Sequence, residues 1–197
     1  MPASFTLRSF PWRRAAVCTL VALGFATGAA TAPLCAQAAG SVETLAAVLA
    51  AEDARAWNEV ALQTALGSPD SVVRRVAAMS VGRLGDRRGV ALLTPLLVDR
   101  DSTVRVAAVF ALGLLRDSTA VAPLIERLRT PPAIDGPSAL ETVTALARIG
   151  GPAAADFLTS VLQRREVLSL VDRTSLVRRI ALEAWRLRRL APVAELL

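Results

Sequence analysis

The run Asp70-Ser-Val-Val-Arg-Arg-Val-Ala-Ala-Met-Ser-Val-Gly-Arg-Leu-Gly-Asp86 returns 31 residues later as Asp101-Ser-Thr-Val-Arg-Val-Ala-Ala-Val-Phe-Ala-Leu-Gly-Leu-Leu-Arg-Asp117. Asp70, Ser71, Val73, Arg74, Ala77, Gly82, Leu84 and Asp86 recur as Asp101, Ser102, Val104, Arg105, Ala108, Gly113, Leu115 and Asp117. The register continues, with Val90-Ala-Leu-Leu-Thr-Pro-Leu-Leu97 answering Val121-Ala-Pro-Leu-Ile-Glu-Arg-Leu128. A fixed period of this size marks a repeat architecture, in which one helical hairpin cannot bury its apolar face alone and stacked neighbours supply the core. Val73, Ala77, Ser80, Val81 and Leu84 fall on one helical face, as do Val104, Ala108, Ala111, Leu112 and Leu115. Spacing of three and four residues makes these the core positions. Asp70-Ser71 is placed to cap its helix through a side-chain oxygen. Asp70 with Arg74, and Asp101 with Arg105, stand four apart and are expected to pair along the helix.

The pattern Asp-x-x-Val-Arg-x-x-Ala, then Leu-Gly-x-Leu-Gly-Asp, then Ala-Val-x-x-Leu-x-x-Leu resembles the short HEAT-like repeats of phycobilisome lyases and many bacterial scaffold proteins. The likeness is most specific over residues 70 to 129, and with degenerate copies it reaches roughly three quarters of the chain. It implies an all-α fold, a right-handed α-solenoid of about four hairpins. In such families the acids and arginines look like a ladder tying each repeat to the next, which assigns Asp70, Arg74, Asp101, Arg105 and Arg178 a structural role. The alternative is that they form acid and base clusters with a chemical task.

Outside the two clear copies the period loosens. Val42, Leu45, Ala46, Leu49 and Ala50 describe a helix with one apolar face, and 54–66 is expected to be its partner, stopped by Gly67-Ser68-Pro69. Thr130-Pro-Pro-Ala-Ile-Asp-Gly-Pro137 reads as a loop, because its residues do not continue a helix. A third copy occupies 138–151, where Ser138-Ala139 replaces the Val-Arg pair, followed by a helix over 153–165. Residues 166–174 are either a longer loop or a short extra helix. The fourth copy reads Leu176-Val177-Arg178-Arg179-Ile180-Ala181, and 191–197 is too short to cover it. Trp185, Leu187, Leu190 and Val193 are then left partly uncovered, which offers an association surface at the C-terminal repeat.

Residues 1–38 read as a cleavable signal peptide preceding a repeat domain at 39–197. Arg8, Arg13 and Arg14 form a basic start, 15–30 an apolar stretch, and Ala36-Gln37-Ala38 a small-x-small cleavage site. The apolar stretch is short of the about 20 residues that span a bilayer. A lipid-anchored Cys35 and a twin-arginine signal at Arg13-Arg14 are the competing readings, but Leu34 before Cys35 and Ala15-Ala16-Val17 after the arginines fit them poorly. Loss of this leader removes three arginines and no acid, so the net charge falls from +6 to +3. It also removes Cys18 and Cys35, leaving a periplasmic or secreted domain without a disulfide.

The chemical inventory argues against an enzyme. There is no His, Lys or Tyr, so with the cysteines gone the usual general bases, Schiff-base amines and thiol nucleophiles are missing. His and Cys metal ligation is excluded, no acids are spaced as a metal loop, and no Gly-rich phosphate loop occurs. No catalytic residue, metal or cofactor is expected. A mild positive surplus with 4% aromatic residues does not make the basic, stacking face that nucleic acid requires. What remains is an exported non-enzymatic scaffold with a protein or peptide partner, contacting the membrane only through its transient leader. The alternatives are an accessory HEAT segment of a larger extracytoplasmic enzyme assembly and a lyase-like enzyme.

Helical geometry points to where such a partner would sit. On 102–115 the core direction sends Val106, Val109, Phe110 and Gly113 to the opposite side. Arg75, Ala78, Met79 and Gly82 are the equivalents one copy earlier, and Arg179, Leu182, Glu183 and Arg186 those of the fourth copy. Side by side, these helices are expected to present an apolar centre at Met79, Val106, Val109 and Phe110, rimmed by Arg75 and Arg179. An apolar anchor inside a polar rim is the usual make-up of a binding hot spot. The alternative is that Val106 and Phe110 pack against neighbouring helices, since an inner helix of a stack is flanked on both sides.

Overall fold

A computed structural model describes residues 32–130, 135–163 and 173–187, with side chains from 40 onward and those of Arg173 and Leu187 excepted. Among the described residues there are nine α-helices and no strand. In order they are α1 (Ala32–Asp53), α2 (Glu59–Leu66), α3 (Ser71–Leu84), α4 (Gly89–Leu93), α5 (Ser102–Leu115), α6 (Val121–Arg129), α7 (Gly136–Ile149), α8 (Pro152–Leu162) and α9 (Arg173–Leu187). Contacts divide the chain at 1–39 and 40–197; the second unit is the one described below. The expected cleavage site at 36–38 falls within α1, and the rest of the expected leader, 1–31, lies outside the described residues.

The second unit is an α-solenoid of two layers. In one layer α3 packs on α5, α5 on α7 and α7 on α9. Behind them lie α2, α4, α6 and α8: α2 packs on α3, α4 on α3 and α5, α6 on α7, and α8 on α7 and α9. Leu62, Leu93, Leu112, Leu124, Leu146 and Leu158 are buried between the layers, and each fully buried leucine contributes about 1.5–3 kcal/mol of hydrophobic stabilisation. The core positions read from the repeat hold: Val73, Ala77, Ser80, Val81, Val104, Ala108, Ala111 and Leu112 are buried, with Leu84 and Leu115 packed at the core's edge.

Each long inner helix begins on an aspartate. Asp70 accepts from the Val72 N–H, Asp101 from Thr103 and Asp135 from Ser138, satisfying donors that the first helical turn leaves free. At the other end, Gly85 closes α3 in the left-handed region at φ 71°, and Arg116, its equivalent one repeat later, does the same for α5 at φ 51°. A side chain in that region costs roughly 1–2 kcal/mol, so the second repeat carries a strain that the first avoids with glycine.

Several boundaries differ from the sequence expectation. The helix expected over 54–66 starts only at Glu59, because Arg55 turns left-handed at φ 48° and Asn58 caps α2 with its side chain. The answering runs at 90–97 and 121–128 are not alike: Pro95 cannot donate to the helical ladder, and after α4 the chain tightens into a 3-10 turn over Thr94–Val98. The third inner helix starts at Gly136 rather than Ser138, and its partner is Pro152–Leu162 rather than 153–165. Residues 166–172 lie outside the described residues, while Arg173 and Thr174 belong to α9. Trp185 is 59% exposed, in keeping with the expectation for the fourth copy, whereas Leu190 and Val193 lie outside the described residues.

Candidate functional site

Across α3, α5 and α7 runs a groove of about 580 Å³. That is within the ~300–1,000 Å³ range of ligand sites. Arg75, Val76, Met79 and Arg83 line it from α3; Ser102, Thr103, Val106, Ala107 and Phe110 from α5; Pro137 and Glu141 from α7. The residues within each set recur at three and four positions, so each helix offers one stripe. The floor is apolar and the ends are charged. Arg83 is held by Glu52 at 3.0 Å, and the Ser80 hydroxyl, donating to the same carboxylate, holds Glu52 below the usual carboxylate range. The Arg148 guanidinium stacks 5.0 Å from the Phe110 ring centre. Burial pushes the Glu141 carboxyl above its ordinary range, against the opposing pull of Arg148 and Arg179.

The arginines of the repeat signature do something else. Arg74 reaches from α3 to Asp99 in the next repeat, Nε to Oδ2 at 2.8 Å and Nη2 to Oδ1 at 2.9 Å. Its Nη1 also donates to the carbonyls of Ser68 and Pro69. One repeat on, Arg105 pairs with Asp135 and donates to the carbonyls of Asp99 and Arg100. The two constellations are the same device shifted by 31 residues on the backbone side. On the carboxylate side, Asp135 stands 30 residues from its arginine where Asp99 stands 25 from its own. In the first interface capping and pairing are split between Asp101 and Asp99, whereas Asp135 does both.

Residues 58–136 match the family of HEAT repeats. That stretch consists of HEAT-like repeats. The match runs from the cap of α2 to the first residue of α7, and it names HEAT repeats rather than the phycobilisome lyases. No curated protein matches the sequence. HEAT repeats build helical scaffolds of the kind that typically mediate protein interactions.

Within these HEAT-like repeats the ladder joins repeats as expected, but through other acids. Asp70 and Asp101 do not pair with Arg74 and Arg105; their side chains cap α3 and α5, and the arginines bridge to Asp99 and Asp135 instead. A capping carboxylate is already engaged by backbone N–H groups, so a guanidinium four residues on is free to reach the neighbouring turn. Arg178 is not a rung. Leu176, Ile180 and Ala184 are the buried positions of α9, matching Val73, Ala77 and Val81. The fourth copy is therefore slipped by one residue, and exposed Arg178 occupies the place of Arg75 rather than that of Arg74.

Of the expected binding residues, Arg75, Met79, Val106 and Phe110 come together in the groove. Val109 does not: it is 1% exposed and packs in the core, as does its equivalent Ala78. Gly82 and Gly113, expected on the open side, are buried against α5 and α7. An inner helix covered on its front and both flanks exposes a narrower arc than a one-sided helical wheel predicts. Arg179 lies outside the groove lining and donates to the Thr144 hydroxyl at 3.4 Å. Val76, Arg83, Thr103 and Ala107 were missed, although each sits three, four or seven residues from Met79 or Phe110 and so shares their stripe. Glu141 and Pro137 carried no signal, because only stacking brings α7 to the groove. Among the described residues no cluster of three or more metal-ligating side chains occurs, and no helix is long and apolar enough to cross a membrane.

Proposed function

We propose that the protein is a non-enzymatic scaffold that holds a protein or peptide partner in the groove between α3, α5 and α7. The observation that carries this reading is the apolar floor of Met79, Val106 and Phe110, open between the charged side chains of Arg75, Arg83 and Glu141. Large side chains left half-covered at the centre of a rimmed concavity are the usual anchors of protein recognition. Phe110→Ala tests it. Because Phe110 is only partly buried, the truncation is expected to cost less than the about 3–5 kcal/mol of a fully buried phenylalanine. Capture of a groove-bound peptide is expected to weaken about thirtyfold, the size of a hot-spot loss. Loss of folding at the full core cost, with peptide capture unchanged in the folded fraction, overturns the reading.

The scaffold is exported by the general secretory route and released as a soluble periplasmic or secreted protein. Arg8, Arg13, Arg14, the apolar 15–30 and Ala36-Gln37-Ala38 support this. Mass spectrometry of the protein recovered from the bacterial cell envelope is expected to find Ala39 or its neighbour as the first residue. An intact Met1, or a diacylated Cys35, rules it out.

A further inference from the structure

The groove's charges are not balanced evenly. Glu52 answers Arg83, and Glu141 lies in the field of both Arg148 and Arg179. Arg75 has no such counterpart: among the described residues it makes no ion pair, it is exposed, and it stands at the α3 edge of the groove. Its position in the repeat is occupied in α5 by Val106, so α5 sets no charge at the equivalent place.

We propose that the groove takes a peptide segment of defined chemistry, an aliphatic or aromatic anchor with an aspartate or glutamate two residues away. The anchor covers Met79, Val106 and Phe110, and the carboxylate meets the Arg75 guanidinium. This rests on the groove being a peptide site and adds the identity of what it prefers. The spacing follows from α3 itself. Arg75 and Met79 are four residues apart on one helix, which sets their Cβ atoms about 5–6 Å apart. An extended peptide advances about 3.3 Å per residue and points alternate side chains the same way. Residues two apart therefore match the pair, whereas adjacent residues point to opposite sides. A guanidinium gives a carboxylate two parallel hydrogen bonds, which a lone exposed lysine cannot.

The test selects a random-peptide library displayed on phage against the purified protein and measures chosen peptides by fluorescence anisotropy. Enriched sequences are expected to carry an apolar residue with an acid two positions away. Arg75→Gln is expected to raise the Kd of such a peptide about tenfold, the loss expected of a charge-assisted pair, and to remove most of its salt dependence. Arg75 is exposed, so this variant keeps its melting temperature. Peptides that weaken with Phe110→Ala but carry no acid, or whose Kd is unmoved by Arg75→Gln, overturn the acidic preference and leave the peptide site standing. Failure to select any peptide whose binding depends on Phe110 overturns both.

Discussion

Replacing Arg74 by alanine is expected to lower stability by about 3–5 kcal/mol, the cost of breaking a buried ion pair from one side, and to move the melting temperature down by roughly 10 °C. The side chains of Arg74 and Asp99 are 6% and 10% exposed. Without the guanidinium, Asp99 keeps its charge in a dry place, and the Ser68 and Pro69 carbonyls each lose a donor. Had Arg74 paired with Asp70 along the helix surface, the loss would be about 0.2–0.5 kcal/mol, so the measurement separates the two arrangements by an order of magnitude. Asp70→Ala is the companion variant and should show only the loss of a cap, about 1 kcal/mol. The pair is also visible in acid. Burial pushes the Asp99 carboxyl up, but Arg74 and the Asp101 N–H outweigh it and hold it below its ordinary 3.8. A carboxylate held low in the folded state contributes stability that is complete above the unfolded value and is lost as pH falls through the folded one. Urea midpoints of the unaltered protein should therefore decline below about pH 4. In Arg74→Ala only the Asp101 N–H is left to oppose burial and the nearby Asp101 charge, so the Asp99 carboxyl rises and the gap between the two proteins should narrow as pH falls from neutrality toward that range. A gap that stays constant across this range speaks against the pair.

Gly82→Leu is the second substitution with a large expected effect, a loss of about 3 kcal/mol from forced overpacking. A Cβ at Gly82 would lie 2.8 Å from both Cα and Cβ of Ala111, closer than carbon atoms approach. One of the contacts is backbone, so α3 and α5 must separate along the most extensive inter-repeat contact. Helix propensity argues the other way, since glycine to alanine gains about 1 kcal/mol in an open helix. The packing cost of even one methyl against a fixed backbone, about 1–3 kcal/mol, exceeds that gain, so Gly82→Ala should also destabilise, though less. Gly136, at the first turn of α7 with nothing within 4 Å of its would-be Cβ, supplies the contrast: Gly136→Ala should be neutral or mildly stabilising. Thermal melts of the three variants settle the matter, and a Gly82→Leu protein as stable as the parent would falsify the close approach of α3 and α5. The same argument applies more mildly to Gly113, whose Cβ would lie 3.0 Å from the Ala145 Cα.

Helix α9 shows the same rule from the other side. In the slipped register of α9, Trp185 takes the place of Gly82, and Leu182 that of Met79. Both are more than half exposed. A tryptophan where the stack needs a glycine is incompatible with another inner helix packing on α9 as α5 packs on α3.

What the sequence determined by itself was whatever a single helix or turn decides. The 31-residue recurrence gave the hairpin unit, three-and-four spacing placed Val73, Ala77, Val104 and Ala108 in the core, and Gly150-Gly151-Pro152 stopped α7 with both glycines at positive φ. These are local effects, carried by backbone conformation and by one face of one helix. The tertiary structure decided everything that depends on a neighbour. Arg74 found Asp99 across 25 residues because the turns of successive repeats stack, while the nearer Asp70 was already committed to its own helix. Val109 went into the core because α7 covers a flank that α5 alone leaves open, and Arg178 missed the ladder because buried leucine and isoleucine, not the Val-Arg dipeptide, set the register of α9. The groove belongs to the same class. Met79 and Phe110 were legible as a stripe on each helix, but Glu141 joins them only through the lateral packing of α7 on α5, and that spacing is a property of the stack rather than of any one repeat.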